Sequence, residues 1–183
     1  MKRFFAIFAV LAITFISINE AKANNISIGG DVGLALPVGD FSDGAGMGFG
    51  IEGKAIFPMN PDIAIGASLG YYSWGEKVDG FGFSNIPITG TFMYFVSPSP
   101  TRFYVGADLS INMFTATVDL GGFFGGSASA TETYVGFAPL VGIVAPIGDN
   151  MNITGTLKYN LIFSSGSSTG FISLRGGIMF LLK

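Results

Sequence analysis

The feature that most constrains this chain is an alternation of period two, clearest in Arg102–Phe114 (RFYVGADLSINMF). Phe103, Val105, Ala107, Leu109, Ile111 and Met113 fall on one side; Arg102, Tyr104, Gly106, Asp108, Ser110, Asn112 and Phe114 fall on the other. Successive side chains of a β-strand point to opposite faces, so this segment has one apolar face and one polar or small face. A helix would scatter Asp108 and Asn112 around its surface, and the period excludes it.

The same pattern recurs along the chain. It predicts strands over Ile26–Leu36, Met47–Phe57, Ile63–Trp74, Phe83–Phe95, Glu132–Ala145, Met151–Phe163 and Phe171–Lys183, with Arg102–Phe114 as the fifth of eight. The fourth carries Pro87, which cannot donate to a ladder. In the sixth, Leu140 and Val144 interrupt the small face. Three connections are short turns by their chemistry: Pro58–Asp62, Ser97–Pro100 and Pro146–Asn150. Four are mostly longer and rich in glycine: Pro37–Gly46, Gly75–Gly82, Thr115–Thr131 (centred on GGFFGG, 121–126) and Ser164–Gly170. Two kinds of connection in strict alternation predict an all-β fold, an eight-stranded antiparallel up-and-down barrel with two unlike ends.

Composition decides which face points inward. The chain is 49% hydrophobic and 11% charged, against about 25% charged in ordinary domains. The polar face is mostly Gly, Ala, Ser and Thr, too small for a solvated exterior and well suited to a narrow lumen. The apolar face has no charge in the middle of any strand, where a basic side chain would cost about 2–4 kcal/mol at the bilayer midplane. The apolar face is therefore expected against lipid, as a transmembrane barrel. Eleven residues tilted by about 45° cross roughly 25 Å of membrane normal. Past residue 23 no apolar run is long enough for a transmembrane helix. Aromatics near strand ends fit two interfacial girdles: Phe57, Phe92, Tyr94, Phe103 and Phe180 by the short turns, and Tyr71, Trp74, Phe163 and Phe171 by the loops.

The N-terminus supplies an address. Met1-Lys2-Arg3 is a basic start, Phe4–Ile18 an apolar core, and Ala21-Lys22-Ala23 a small-residue cleavage pattern. Residues 1–23 are expected to be a cleaved secretory signal peptide, leaving a barrel domain over 24–183. Cleavage removes Lys2, Arg3, Lys22 and Glu20, leaving 6 basic and 11 acidic residues. That balance argues against nucleic-acid binding. With no cysteine in an exported chain, closure must come from backbone pairing rather than disulfides.

With these residues in view, the chain resembles the small eight-stranded outer-membrane barrels of Gram-negative bacteria, of the OmpA-transmembrane, OmpX and opacity-protein type. The resemblance rests on the signal peptide, the eight alternating strands and the first hairpin, PVGDF…GMGFGIEG (Pro37–Gly53). It implies an outer-membrane location and lipid and lipopolysaccharide as surroundings. It also implies the outer-membrane assembly machinery as a partner during biogenesis, and a monomer. The sequence departs from the family at its end, Phe180-Leu181-Leu182-Lys183, where the family usually has an aromatic residue.

Parity places Asp31, Glu52 and Asp108 inside the lumen with Lys54, Lys158 and Arg175. Unpaired charges there would be costly, so a lumen charge network that plugs the barrel and fixes register is expected. The alternative for these charges is a polar gate whose rearrangement admits ions, and for the whole barrel a narrow channel or conduit for ions or small hydrophobic solutes. Asp40 and Asp43 offer too few oxygens for calcium and read as turn residues. Gly46, Gly48 and Gly50 lack the βαβ setting of a nucleotide site. With no histidine or cysteine, a Ser/His hydrolase and a His- or Cys-ligated zinc site are excluded. No catalytic set, metal or cofactor is expected; a lipid-modifying enzyme is the third and weakest reading, after a structural or surface-interacting barrel and a narrow channel.

Overall fold

A computed structural model describes residues 26–77, 80–97, 99–119, 126–164 and 167–182. The expected signal peptide, the centre of the GGFFGG loop and Lys183 lie outside the described residues. The elements are β1 (Ile26–Val38), α1 (Phe41–Gly44), β2 (Ala45–Pro58), β3 (Ile63–Glu76), β4 (Phe81–Phe95), β5 (Arg102–Asp119), β6 (Ser127–Pro146), β7 (Met151–Ser164) and β8 (Ser167–Leu182). Each strand pairs antiparallel with the next, and β8 returns to β1, closing the barrel. Closure leaves no sheet edge within the staves, which is what a hydrocarbon solvent demands of a strand-built span.

Alternation sets the faces. Val32, Leu109 and Leu174 stand on the outer wall at 64%, 64% and 59% exposure, with Leu34 and Ile153 beside them. Asp31, Asp108 and Arg175, their neighbours in sequence, are buried. A continuous apolar exterior over a buried polar interior is the inverse of a water-soluble barrel and matches a lipid-facing one.

The turns follow from their side chains. Asn60 accepts from the backbone N–H groups of Asp62 (2.9 Å) and Ile63 (2.8 Å), closing the β2–β3 turn. In the β6–β7 turn Gly148 takes φ +75°, a conformation that costs glycine nothing. Arg102 lies 3.9 Å from the Phe95 ring centroid and donates to the Pro61 carbonyl, tying two turns together.

Two ladders skip where proline falls. The β3–β4 register passes from Leu69↔Ile88 to Tyr72↔Asn85, stepping over Pro87. The β6–β7 register passes from Phe137↔Leu161 to Leu140↔Lys158, stepping over Pro139. A residue with no N–H cannot donate across that ladder, although Pro87 still pairs with Asn112 and Pro139 with Ala107 on the opposite side.

The expected long loop Thr115–Thr131 is largely strand. β5 and β6 stay paired from Phe114↔Glu132 out to Asp119↔Ser127. Likewise β7 and β8 pair to Ser164↔Ser167, and β3 and β4 reach Glu76 and Phe81. The expected loop Pro37–Gly46 holds α1, a single helical turn whose Ser42 hydroxyl donates to the Gly39 carbonyl (2.7 Å).

Candidate functional site: the filled lumen

The lumen is filled in layers. The ionic layer draws on five strands: Asp31 on β1, Glu52 and Lys54 on β2, Asp108 on β5, Lys158 on β7 and Arg175 on β8. The register sets Asp31 directly beside Glu52, a repulsive placement that cations must relieve. Lys54 Nζ donates to Asp31 Oδ2 at 2.5 Å and reaches Thr154 Oγ1 at 3.5 Å. Thr154 donates to the other Asp31 oxygen at 2.9 Å. Arg175 donates to Glu52 Oε2 and, at 2.9 Å, to the Tyr72 hydroxyl. Lys158 bridges Asp108 Oδ2 (2.5 Å) and Glu52 Oε1 (3.7 Å). All six sequence-derived positions thus meet in one layer, each ionic group with an opposite partner. Burying these charges is tolerable only because they are paired.

Large lumen side chains stand beside glycines on the next strand. The register matches Arg175 with Gly33, Asp31 with Gly177, Tyr72 with Gly50, Trp74 with Gly48 and Tyr104 with Gly142. A methyl group at Gly177 would overlap Asp31 Oδ1 and the Gly30 carbonyl. At Gly33 it would come within 2.7 Å of Arg175 Cγ. The glycine-rich inner face is the space these side chains occupy.

Towards the loop end lies an amide layer. Asn85 donates to Asn112 (2.9 Å), Asn112 to Ser110 (2.8 Å) and Asn160 to Ser173 (3.0 Å). Above it sits an aromatic plug. Tyr72 stacks on Trp74 at 5.9 Å between ring centroids, Phe171 meets both edge-on, and Phe41 from α1 packs on Trp74 at 5.2 Å. Phe83 and Phe114 close its far side against Phe41. Such contacts contribute about 0.5–1.5 kcal/mol per pair beyond burial.

This plug corrects two of the expected girdle positions. Trp74 and Phe171 are 3% and 2% exposed and face the lumen, not the interface. Their parity decides it: Trp74 shares a face with Tyr72, and Phe171 with Ser173 and Arg175. Phe92, Tyr94, Phe103 and Phe180 near the turns, and Tyr71 and Phe163 near the loops, are exposed on the outer wall, with Phe57 partly so. Phe41 was missed as a lumen residue, because no alternation marks a side chain that enters from a loop.

At the turn end the layers stop short and leave a cavity of about 220 Å³ beneath the ionic layer. Among the described residues, no cluster of acidic side chains forms a metal site.

A closed eight-stranded barrel with an apolar exterior and an ion-paired interior defines the class: a transmembrane β-barrel of the smallest size that closes around side chains. Solved structures share this fold. Neisserial surface protein A superposes with a TM-score of 0.66 at 23% identity, covering 85% of this chain and 96% of that one. A major outer membrane protein from Thermus thermophilus gives 0.62 at 13%, covering 87% and 100%. Ail, the attachment invasion locus protein of Yersinia pestis, gives 0.53 at 18%, covering 86% and 97%. No protein-family model matches the chain, and no curated protein matches it in sequence. At these identities the likeness establishes the fold.

Proposed function

We propose that this chain is an outer-membrane barrel, exported by a signal peptide over residues 1–23, whose lumen is closed at rest and whose loop end makes surface contacts. The observation that carries the reading is the stack of ionic, amide and aromatic layers. A solute crossing the barrel would have to separate Lys158 from Asp108 and Arg175 from Glu52, and then displace Trp74 and Phe171. A buried charge left without its partner costs about 3–5 kcal/mol, which favours a plugged barrel over the narrow channel. The lumen charges serve as structural pairs, with no catalytic role.

Surface contact draws support from β6. Among the described residues, 127–134 pair with β5 on one side, while the β7 ladder begins only at Val135↔Phe163. This segment, SASATETY, is exposed along nearly its whole length and ends in no protective lysine or proline. An unpaired edge of this kind offers backbone donors and acceptors to an added strand. The similar proteins from Neisseria and Yersinia are named as a surface protein and an attachment invasion protein, roles in keeping with this one.

Recordings in planar bilayers test the closed lumen. The expected result is no defined unitary conductance. Steady openings from the purified barrel would overturn the closed reading in favour of the narrow channel.

A further inference from the structure

We infer that the cavity at the turn end is a binding site for a small monocarboxylate with a short apolar tail; resting on the outer-membrane reading above, which puts short turns on the periplasmic side, it is entered from the periplasm. The lumen is sealed above the cavity by the ionic and aromatic layers. Its lining runs down to Asn60 and Pro100, exposed residues of two turns. At about 220 Å³ it lies below the roughly 300–1,000 Å³ of drug-sized pockets, so its occupant is small.

Its walls and ceiling differ in chemistry. Ile56, Met93, Leu140, Val144 and Met179 form an apolar wall. The ceiling contains Lys54, Lys158 and Arg175 with Glu52 as its one acid, while Asp31 and Asp108 are not part of the lining. The six-charge layer is balanced as a whole, yet it turns its cations toward the cavity and keeps two of its three carboxylates behind them.

Donor capacity is left over on that ceiling. Arg175 and Lys158 are nearly sealed within their ion pairs, and Lys54 is the most accessible cation of the three. Lys54 Nζ uses two of its three protons, on Asp31 and Thr154. A carboxylate is the acceptor that matches the Lys54 ammonium in charge and can take its remaining proton. The apolar wall would hold the tail.

The test is a titration of the barrel in lipid nanodiscs, labelled at the methionine methyl groups, with hexanoate, hexylamine and hexanol as probes. Met93 and Met179 report the cavity, and Met47, exposed on the outer wall, reports partition into lipid. Hexanoate should shift Met93 and Met179 saturably and leave Met47 unmoved, while hexylamine shifts none of them. Lys54→Met should weaken hexanoate binding about tenfold, and Lys54→Arg should retain it. Since Lys54→Met also strands Asp31, Thr91→Phe provides a second variant. It fills the cavity from a wall position outside the ion pairs and should abolish the shifts in a barrel that still folds. Equal shifts with hexylamine or hexanol, parallel movement of Met47, or an unchanged titration in Thr91→Phe would each overturn the inference.

Discussion

At the scale of single residues, the lumen ties stability to pairing rather than to charge itself. Lys158→Met leaves Asp108 buried with its main cation gone, and the expected loss is about 3–5 kcal/mol. Pairing that change with Asp108→Asn should recover much of it, because both members of the pair are then neutral. Urea unfolding in lipid vesicles, read by the single tryptophan at Trp74, measures both; Trp74 sits in the aromatic plug and reports its dispersal. Glycine carries the complementary prediction. Gly177→Ala should cost stability by pushing Asp31 out of place, whereas Gly53→Ala, with nothing within 4 Å of the added methyl, should be close to neutral. Which face each of these residues takes is legible in the alternation. Who pairs with whom is not, because it depends on the barrel's stagger and on side chains from strands distant in sequence. Trp74 and Phe171 make the same point in reverse. Closeness to a strand end suggested the interface, but their parity, already present in the sequence, put them inside.

At the scale of elements, the strand ends were the least legible part. Period two is visible only where one face meets lipid and the other a packed lumen. Beyond the rim both faces of β5 and β6 meet water, so Thr115–Asp119 and Ser127–Thr131 lose the alternation and resemble a loop, though their backbones stay paired. Turn chemistry was readable because Asn60 and Gly148 act locally. The two ends are expected to face different compartments, the β5–β6 tip outward and the short turns inward. A peptide epitope inserted at Gly126 should be reached by antibody on intact cells, and one inserted at Asp149 only after the outer membrane is permeabilised. Both sites are exposed connections that tolerate insertion. The opposite labelling pattern would reverse the barrel in the membrane and send the cavity beneath Lys54 to the outside.

At the scale of the whole molecule, one arrangement accounts for composition, glycine content and scarcity of charge together. The exterior is a hydrocarbon-compatible sleeve, and the six mid-barrel ionic groups that would spoil it are turned inward, each neutralised by a neighbour. The sleeve makes a depth-dependent prediction that no soluble barrel would share. Val32 lies midway along β1, between Ile51 on β2 and Gly176 on β8, and is 64% exposed. Val32→Lys should therefore cost about 2–4 kcal/mol in a bilayer. Val96 is comparably exposed but lies past the end of β4, by the turns, so Val96→Lys should cost only about 0–1 kcal/mol. Unfolding midpoints of the two variants in vesicles supply the comparison. Were the outer wall bathed in water, both lysines would be solvated and the midpoints would coincide. A gap between them can arise only if hydrocarbon lies against Val32 and has given way to headgroups at Val96.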